Sequence, residues 1–535
     1  MSGVPAALDE IWRLIQARDW SAAAERCRRL NAAFPAQPGG WYAASQIAMA
    51  SGNPGAALAA IERALRLEPE QSRYLLQRSR CLLGLARHTE AAAAAAAALR
   101  RAGDDAALLD AIGTALSQAN DHAGALGAYD RAIALAPHSA VFVFNRAAVR
   151  RYLGALSEAE QDYDRALALN PPDYDAYRNR SDLRVQTPSS NHVHEIEALL
   201  GRADLPWQGE VQLRYALAKE YEDLQEFGRA FAQLQRGASL RRRHLRYDVA
   251  LDVATAGWIM AAFPAGAATE QRERAGPAAD AAAPIFIVGL PRSGSTLVER
   301  ILDSHSAVQS AGELHAFALS LMQALHAADP AGTRQQGPAA RERLVARSAT
   351  LDFAALGRDY LARAHASGAS GARFIDKMPL NYLYCGLIRR ALPQAPIVHV
   401  SRSPLAACYA MYKTLFRDGY PFSYDLDDLA RYYIAYRRLM EHWHAAYPTG
   451  MHALRYERLV GEQLACTAEL LQFCALPWEE ACLQFHRNPT ASTTASAVQI
   501  RRPLYSSSAH QWRHYREQLA GLAEQLRAAG IDPED

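Results

Sequence analysis

The chain has 535 residues, half of them apolar and 21% charged, with a formal net charge of +2. That length exceeds what one hydrophobic core serves, so two or more domains are expected. The near balance of charge excludes a global field for nucleic acid or anionic membrane, and no stretch approaches the ~18 uninterrupted apolar residues of a membrane-spanning helix.

The N-terminal stretch MSGVPAALDEIWRLIQ has no basic segment followed by an apolar run, so no signal peptide is expected and the expected location is cytoplasmic. Seven cysteines form no CxxC pair and no zinc spacing, and read as small buried hydrophobes. The first half is a repeat. Pro35, Pro69, Pro137 and Pro171 stand in register at a period of 34, with Gly103 in the missing slot. Ala23, Ala57, Ala91, Ala125 and Ala159 keep the same spacing, as do Ala64, Ala98, Ala132 and Ala166. Trp41 and Gly113 take expected positions on the first helix of their units. Each unit reads as two amphipathic helices whose close crossing needs small residues, closed by a proline that cannot continue the ladder. The pattern resembles the tetratricopeptide repeat. Five units are expected at 4–37, 38–71, 72–105, 106–139 and 140–173, and a degenerate sixth pair over 213–240. Such arrays stack into a superhelix whose groove binds peptides or proteins.

Residues 241–264 read as a further helix, and the Ala/Gly/Pro-rich stretch after it as a linker. The expected division is therefore an array over 1–188, a helical extension over 189–264, a linker over 265–283 and a second domain over 284–535.

That second domain opens on PIFIVGLPRSGSTLVERIL, residues 284–302. The short β-branched run 285–288 predicts a buried parallel strand, and the Gly/Ser/Thr turn after it leads into helical spacing. Backbone amides at the start of that helix would converge on one small anion site. The spacing Gly289-x4-Gly294 mimics a Walker A loop, yet Ser295-Thr296 replaces its Lys-Ser/Thr. A nucleoside-triphosphate loop uses that lysine on the β- and γ-phosphates, so its loss points to a single phosphate in the loop.

GLPRSGSTLVERIL resembles the 5′-phosphosulfate loop of sulfotransferases that use 3′-phosphoadenosine 5′-phosphosulfate (PAPS), in particular the bacterial tetratricopeptide-repeat sulfotransferases, which are similar to the tyrosylprotein sulfotransferases. The resemblance runs through residues 284–535. It implies an α + α/β chain: an N-terminal α-helical tetratricopeptide-repeat superhelix, then a three-layer α/β, P-loop-like sulfotransferase domain with a parallel sheet. By the same resemblance Arg292, Ser293, Gly294, Ser295 and Thr296 would cradle the 5′-phosphosulfate. Arg402, in IVHVSRSPLAACYAMYKTLF, would hold the 3′-phosphate, although Ala410 and Thr414 stand where relatives carry a serine and an arginine. Lys413 or Arg417 would then have to substitute. Lys377, in RFIDKMPL, would reach the oxygen bridging sulfur and phosphorus, where negative charge grows as the bond breaks.

Glu313, in SAGELHAF, matches the catalytic glutamate that takes the acceptor's proton, with His315 two residues on as the other base. In the C-terminal stretch Ser496 matches a catalytic-site serine, Arg501, Arg502 and Pro503 an adenosine- and phosphate-binding run, and Tyr456 a tyrosine near the cofactor. Gln511 precedes Trp512 where relatives have lysine. The implied chemistry is sulfuryl transfer from PAPS to a hydroxyl, releasing 3′-phosphoadenosine 5′-phosphate, with no metal. The favoured acceptor is tyrosine in a peptide or protein docked through the repeats, and glycan, lipid or small-molecule hydroxyls are the alternatives. Two other classes remain at this stage: a P-loop kinase, which would need a Walker lysine, and a catalytically decayed repeat scaffold.

Overall fold

The computed structural model describes residues 3–264, 283–369, 373–417, 419–488, 490, 500, 504 and 507–535. The linker expected over 265–283 lies outside them except for Ala283, as do Ser496, Arg501, Arg502 and Pro503. The chain separates into two compact units, Met1–Asn170 with Ala366–Gly368, and Pro171–His365 with Ala369–Asp535.

The first unit carries five helix pairs. They are Val4–Gln16 with Trp20–Ala33, Pro38–Ala50 with Pro54–Leu67, Ser72–Gly84 with His88–Arg100, Ala106–Gln118 with His122–Leu135, and Ala140–Leu153 with Leu156–Leu169. Each falls within one expected repeat. All nine periodic alanines are fully buried, because the two helices of a pair cross where a larger side chain has no room. The crossing is close at Gly113, where an added Cβ would lie 2.8 Å from the Tyr129 ring. Pro35, Pro69, Pro137 and Pro171 each stand two residues past the end of a second helix. Several helices start on an aspartate or asparagine that accepts an amide of the first turn, as Asp19, Asn53 and Asp121 do.

The second unit begins with helices, among them the pair Trp207–Asp223 and Phe227–Arg243, which is the sixth pair expected from sequence. The extension therefore clusters with the α/β domain, and the compact boundary falls at 170/171 where sequence put the end of the array at 188. Helix Val249–Ala262 packs on helix Leu426–Ala446, and Phe263 after it meets the Trp443 ring edge-on at 6.0 Å.

Five strands follow: β1 Ile285–Gly289, β2 Val308–Ser310, β3 Arg373–Asp376, β4 Ile397–Ser401 and β5 Met451–Arg455. They form one sheet in the order β2-β3-β1-β4-β5, and every pairing is parallel. Strand β1 is buried along its whole length and feeds both faces. Phe286 and Val288 join a core with Phe317, Tyr360 and Trp443, whereas Ile285 and Ile287 join Val298, Ile301 and Leu470. Helices thus cover both sides, which makes three layers. Because β1 pairs with β3 on one side and β4 on the other, chain connections leave it in opposite directions. Open parallel sheets bind ligands beyond the carboxyl ends of the strands at such a point.

Candidate active site

The loop after β1 is shaped by backbone geometry before side chains act. Gly289 has φ +147°, and a Cβ there would come within 2.3 Å of the Val400 carbonyl oxygen of β4. Arg292 is held left-handed at φ +66°, which costs a non-glycine residue about 1 kcal/mol or more. Gly294, at φ +104°, would push a Cβ to 2.5 Å from the Tyr456 ring. These turns carry the chain sharply from β1 into helix Ser295–Asp303. The Ser293 amide closes on the Leu290 carbonyl at 3.3 Å, and the Gly294 carbonyl accepts from Leu297 and Val298. First-turn amides of a helix have no acceptor inside the helix, and the helix dipole favours negative charge there.

Loops from the carboxyl ends of three strands meet around this turn. Arg402, just past β4, donates through Nη1 to the Arg292 carbonyl at 3.1 Å and through Nη2 to the Ser508 carbonyl. Its guanidinium lies over the Tyr456 ring, 5.0 Å from the centroid. Tyr456, just past β5, shares a 2.7 Å hydrogen bond between its hydroxyl and that of Ser508. Arg292, Gly294, Thr296, Arg402 and Tyr456 line one cavity together with Ala406, Tyr409, Ala410, Lys413, Gln511 and Trp512. Residues named from separate sequence motifs are therefore brought together in space.

A second cluster lies at the end of β3. The Lys377 amide donates to the Gly312 carbonyl at 2.9 Å, which ties β3 to the loop carrying Glu313. The Lys377 side chain is 1% exposed, and its Nζ donates to Glu313 Oε1 at 2.5 Å. Glu299, on the helix that starts at the β1 turn, stands 3.6 Å from the same ammonium and accepts from the Ser310 hydroxyl at 2.6 Å. Burial works against the Lys377 charge, yet Glu299 and Glu313 together outweigh it and hold the pKa above the ordinary lysine value. Asp376, the preceding residue, is fully buried. Burial pushes its carboxyl up to about 8 against the bonds from the Tyr360 hydroxyl and the Leu314 amide. Glu313 and Lys377 are not among the residues lining the cavity; Glu299 links them to the helix that bounds it. His315 is exposed at the start of helix Ala316–Ala328, and the lysine contact belongs to Glu313.

Two further residues, Glu299 and Glu222, carry no site signal in the sequence. Glu299 sits in an ordinary helical pattern. Glu222 comes from the helix Trp207–Asp223 and accepts from Lys413 Nζ at 2.8 Å, from the Tyr515 hydroxyl at 3.0 Å and from the Tyr409 hydroxyl. Burial opposes the Glu222 charge, but Lys413 and the two hydroxyls prevail and hold its carboxyl below the usual range. Lys413 also donates to Gln511 Oε1 at 2.7 Å. The helical pair thus stands behind the lining residues Lys413 and Tyr409, and nearby Tyr215 donates to the Tyr412 carbonyl and Phe231 packs on the Tyr412 ring.

A parallel α/β domain with an anion-suited turn at its switch point, entered from a helical repeat array, defines the class of protein. Residues 284–480 match the sulfotransferase family model and residues 38–71 the tetratricopeptide repeat model, so the chain carries a sulfotransferase-family domain after tetratricopeptide repeats. An uncharacterized protein of Aquifex aeolicus is 29% identical over 383 residues, which is 70% of this chain and 48% of that protein. The chain spans about half the length of this curated relative. Among solved structures, the sulfotransferase domain from the curacin biosynthetic pathway is 17% identical with TM-score 0.32, covering 46% of this chain and 99% of that one. The sulfotransferase domain of the Synechococcus PCC 7002 olefin synthase is 21% identical with TM-score 0.31, covering 44% and 90%. A tetratricopeptide repeat protein of Parabacteroides merdae is 16% identical with TM-score 0.33, covering 45% and 94%. Among the described residues no helix is long and apolar enough to cross a membrane.

Proposed function

We propose that the second unit transfers a sulfuryl group from PAPS to a hydroxyl acceptor, most favourably tyrosine in a peptide or protein, and that the repeats dock the acceptor or a partner. The observation that carries this reading is a phosphate-type loop with no Walker lysine whose own helix, through Glu299, contacts the buried Lys377 that pairs with half-exposed Glu313. A triphosphate loop places its lysine inside the loop. Here the cation comes from another strand and stands beside a carboxylate, which suits a reaction that needs a base and a developing anion stabilised side by side.

In this reading Arg292 and the amides through Thr296 hold the 5′-phosphosulfate, with Arg402 and Tyr456 in the adjoining wall. Glu313 takes the proton of the acceptor hydroxyl as its oxygen bonds to sulfur. The bond from sulfur to the 5′-phosphate oxygen breaks, and 3′-phosphoadenosine 5′-phosphate leaves. Lys377 and Arg292 stabilise the departing phosphate. Ser496, Arg501, Arg502 and Pro503 keep their proposed roles over the sulfuryl group and adenosine. The sulfotransferase-family domain supports sulfuryl transfer, and the repeats support protein recognition.

The test is incubation of the full chain with ³⁵S-labelled PAPS and lysate of the source organism, then acid and enzymatic fractionation of the label. Labelled tyrosine sulfate in protein is the expected product. Label in a glycan, lipid or small molecule would overturn the acceptor, and no transfer to any fraction would overturn the activity.

A further inference from the structure

Of the 58 lysines and arginines in the chain, three are lysines: Lys219, Lys377 and Lys413. Arginine offers a rigid, permanently charged fork; lysine offers a compact charge with three rotatable donors. A chain that uses arginine almost everywhere else thus places one lysine against Glu313 and another in the cavity wall. The first belongs to the reaction proposed above, and the second is one of the two residues, with Arg417, that the sequence offers in place of the missing 3′-phosphate contacts.

We propose that Lys413 is a specificity-determining residue that receives the second anionic group of the donor nucleotide, and that Glu222 from the repeat-like helix holds it in position. The proposal rests on the PAPS reading and adds to it which residue recognises the phosphate remote from sulfur.

The cavity extends from Gly294 and Thr296 at the β1 turn to Lys413. Helix Pro404–Tyr412 forms the wall between them and presents Ala406, Tyr409 and Ala410; the alanines contribute methyl groups, and the Tyr409 hydroxyl is spent on Glu222. Arg402 begins the same wall, but its two terminal nitrogens are anchored on the Arg292 and Ser508 carbonyls and its face covers Tyr456. Lys413, just past the end of the helix, adds its charge to the cavity lining. Two of its three N–H groups are taken, by Glu222 at 2.8 Å and Gln511 at 2.7 Å, which leaves a third for a ligand.

Glu222 is a fixed counter-charge. It is carried on a helix of the extension, is satisfied by Tyr409 and Tyr515 as well as Lys413, and its side chain is 10% exposed. An exposed lysine would place its ammonium in water. Tethered to Glu222, this one stays in the wall. The Lys413–Glu222 pair is neutral and keeps one N–H of Lys413 for a charge-assisted hydrogen bond to a phosphate. The helical extension becomes part of the nucleotide site, supplying the group that positions its second anchor.

The scarcity of lysine makes the test direct. The full chain is treated with an amine-acetylating reagent, alone, with adenosine 3′,5′-bisphosphate, or with adenosine 5′-monophosphate, and acetylation is read by peptide mass spectrometry. The bisphosphate should slow acetylation of Lys413 about tenfold, a charge-assisted contact that the monophosphate does not make. Lys219, paired with Asp223 on the extension, is the internal control and should respond to neither. Because Lys413→Met alone strands a buried carboxylate, the matching variant is Lys413→Met with Glu222→Gln. It should lose about ten- to hundredfold in calorimetric affinity for the bisphosphate and keep that for the monophosphate within about twofold. Equal protection by the two nucleotides, or equal loss of both in the variant, would overturn the role of Lys413 while nucleotide binding stood. Binding of neither by the wild type would overturn the donor reading and this proposal with it.

Discussion

Replacing Glu313 by glutamine tests the base assignment, because it keeps the side chain's volume and hydrogen bonding while removing its charge and its ability to take a proton. A positioned general base contributes about 10²–10⁴ in rate, so turnover should fall by that factor, about 2.7–5.5 kcal/mol in the barrier. The fold should tolerate the change. The Glu313 side chain is 45% exposed, and a half-exposed ion pair is worth at most about 1 kcal/mol. Lys377 also keeps Glu299 at 3.6 Å, so the buried ammonium is never left without a carboxylate. The assay is single-turnover transfer of ³⁵S from PAPS, run beside calorimetric titration with 3′-phosphoadenosine 5′-phosphate. Slow transfer with nucleotide affinity changed by less than about twofold is the expected result. Transfer within about threefold of wild type would refute the assignment and move the base to His315. An equal loss of affinity and turnover would make Glu313 a binding group.

Other perturbations separate the remaining parts of the site. Gly294→Ala puts a Cβ 2.5 Å from the Tyr456 ring at φ +104°, so it should lower stability by about 1–3 kcal/mol in denaturant unfolding and weaken nucleotide binding. Glu222 has a folded-state pKa below that of an unfolded carboxylate, so its contribution is present above the unfolded value and lost as pH falls through the folded one. Thermal melts should therefore show wild type losing more stability than Glu222→Gln as pH is lowered beneath the ordinary carboxylate range. Asp376 has the opposite sign. With a folded pKa of about 8 its protonated form is favoured by folding, a contribution lost as pH rises toward 8, so Asp376→Asn should gain on wild type in melts between pH 5 and pH 9.

The parts legible in sequence are those written in local periodicity. The 34-residue register of small residues and prolines specifies where helices cross and stop, and the nine alanines are buried for the reason their spacing suggests. The β1 turn was legible because its two glycines perform backbone tasks that no other residue performs there without strain or collision. Residues named in five separate motifs then met in two places, the cavity and the Lys377–Glu313 pair, because each motif ends a strand of one parallel sheet.

What stayed hidden are contacts between distant segments whose local patterns are ordinary. Glu299 is one charged position on an amphipathic helix, and its contact with Lys377 depends on the chain returning to Glu313 after 64 positions of helices and strand. Glu222 is separated from Lys413 by 191 positions, and the degenerate repeat that carries it reads as the tail of an array. One compositional signal did point across that distance. With three lysines among 58 basic residues, the identity of the cation at Lys377 and Lys413 was itself information. A guanidinium at either place would present a planar fork to carboxylates that approach from different elements. An ammonium can turn its donors to Glu222, Gln511 and a ligand at once, so composition and geometry lead to the same two residues.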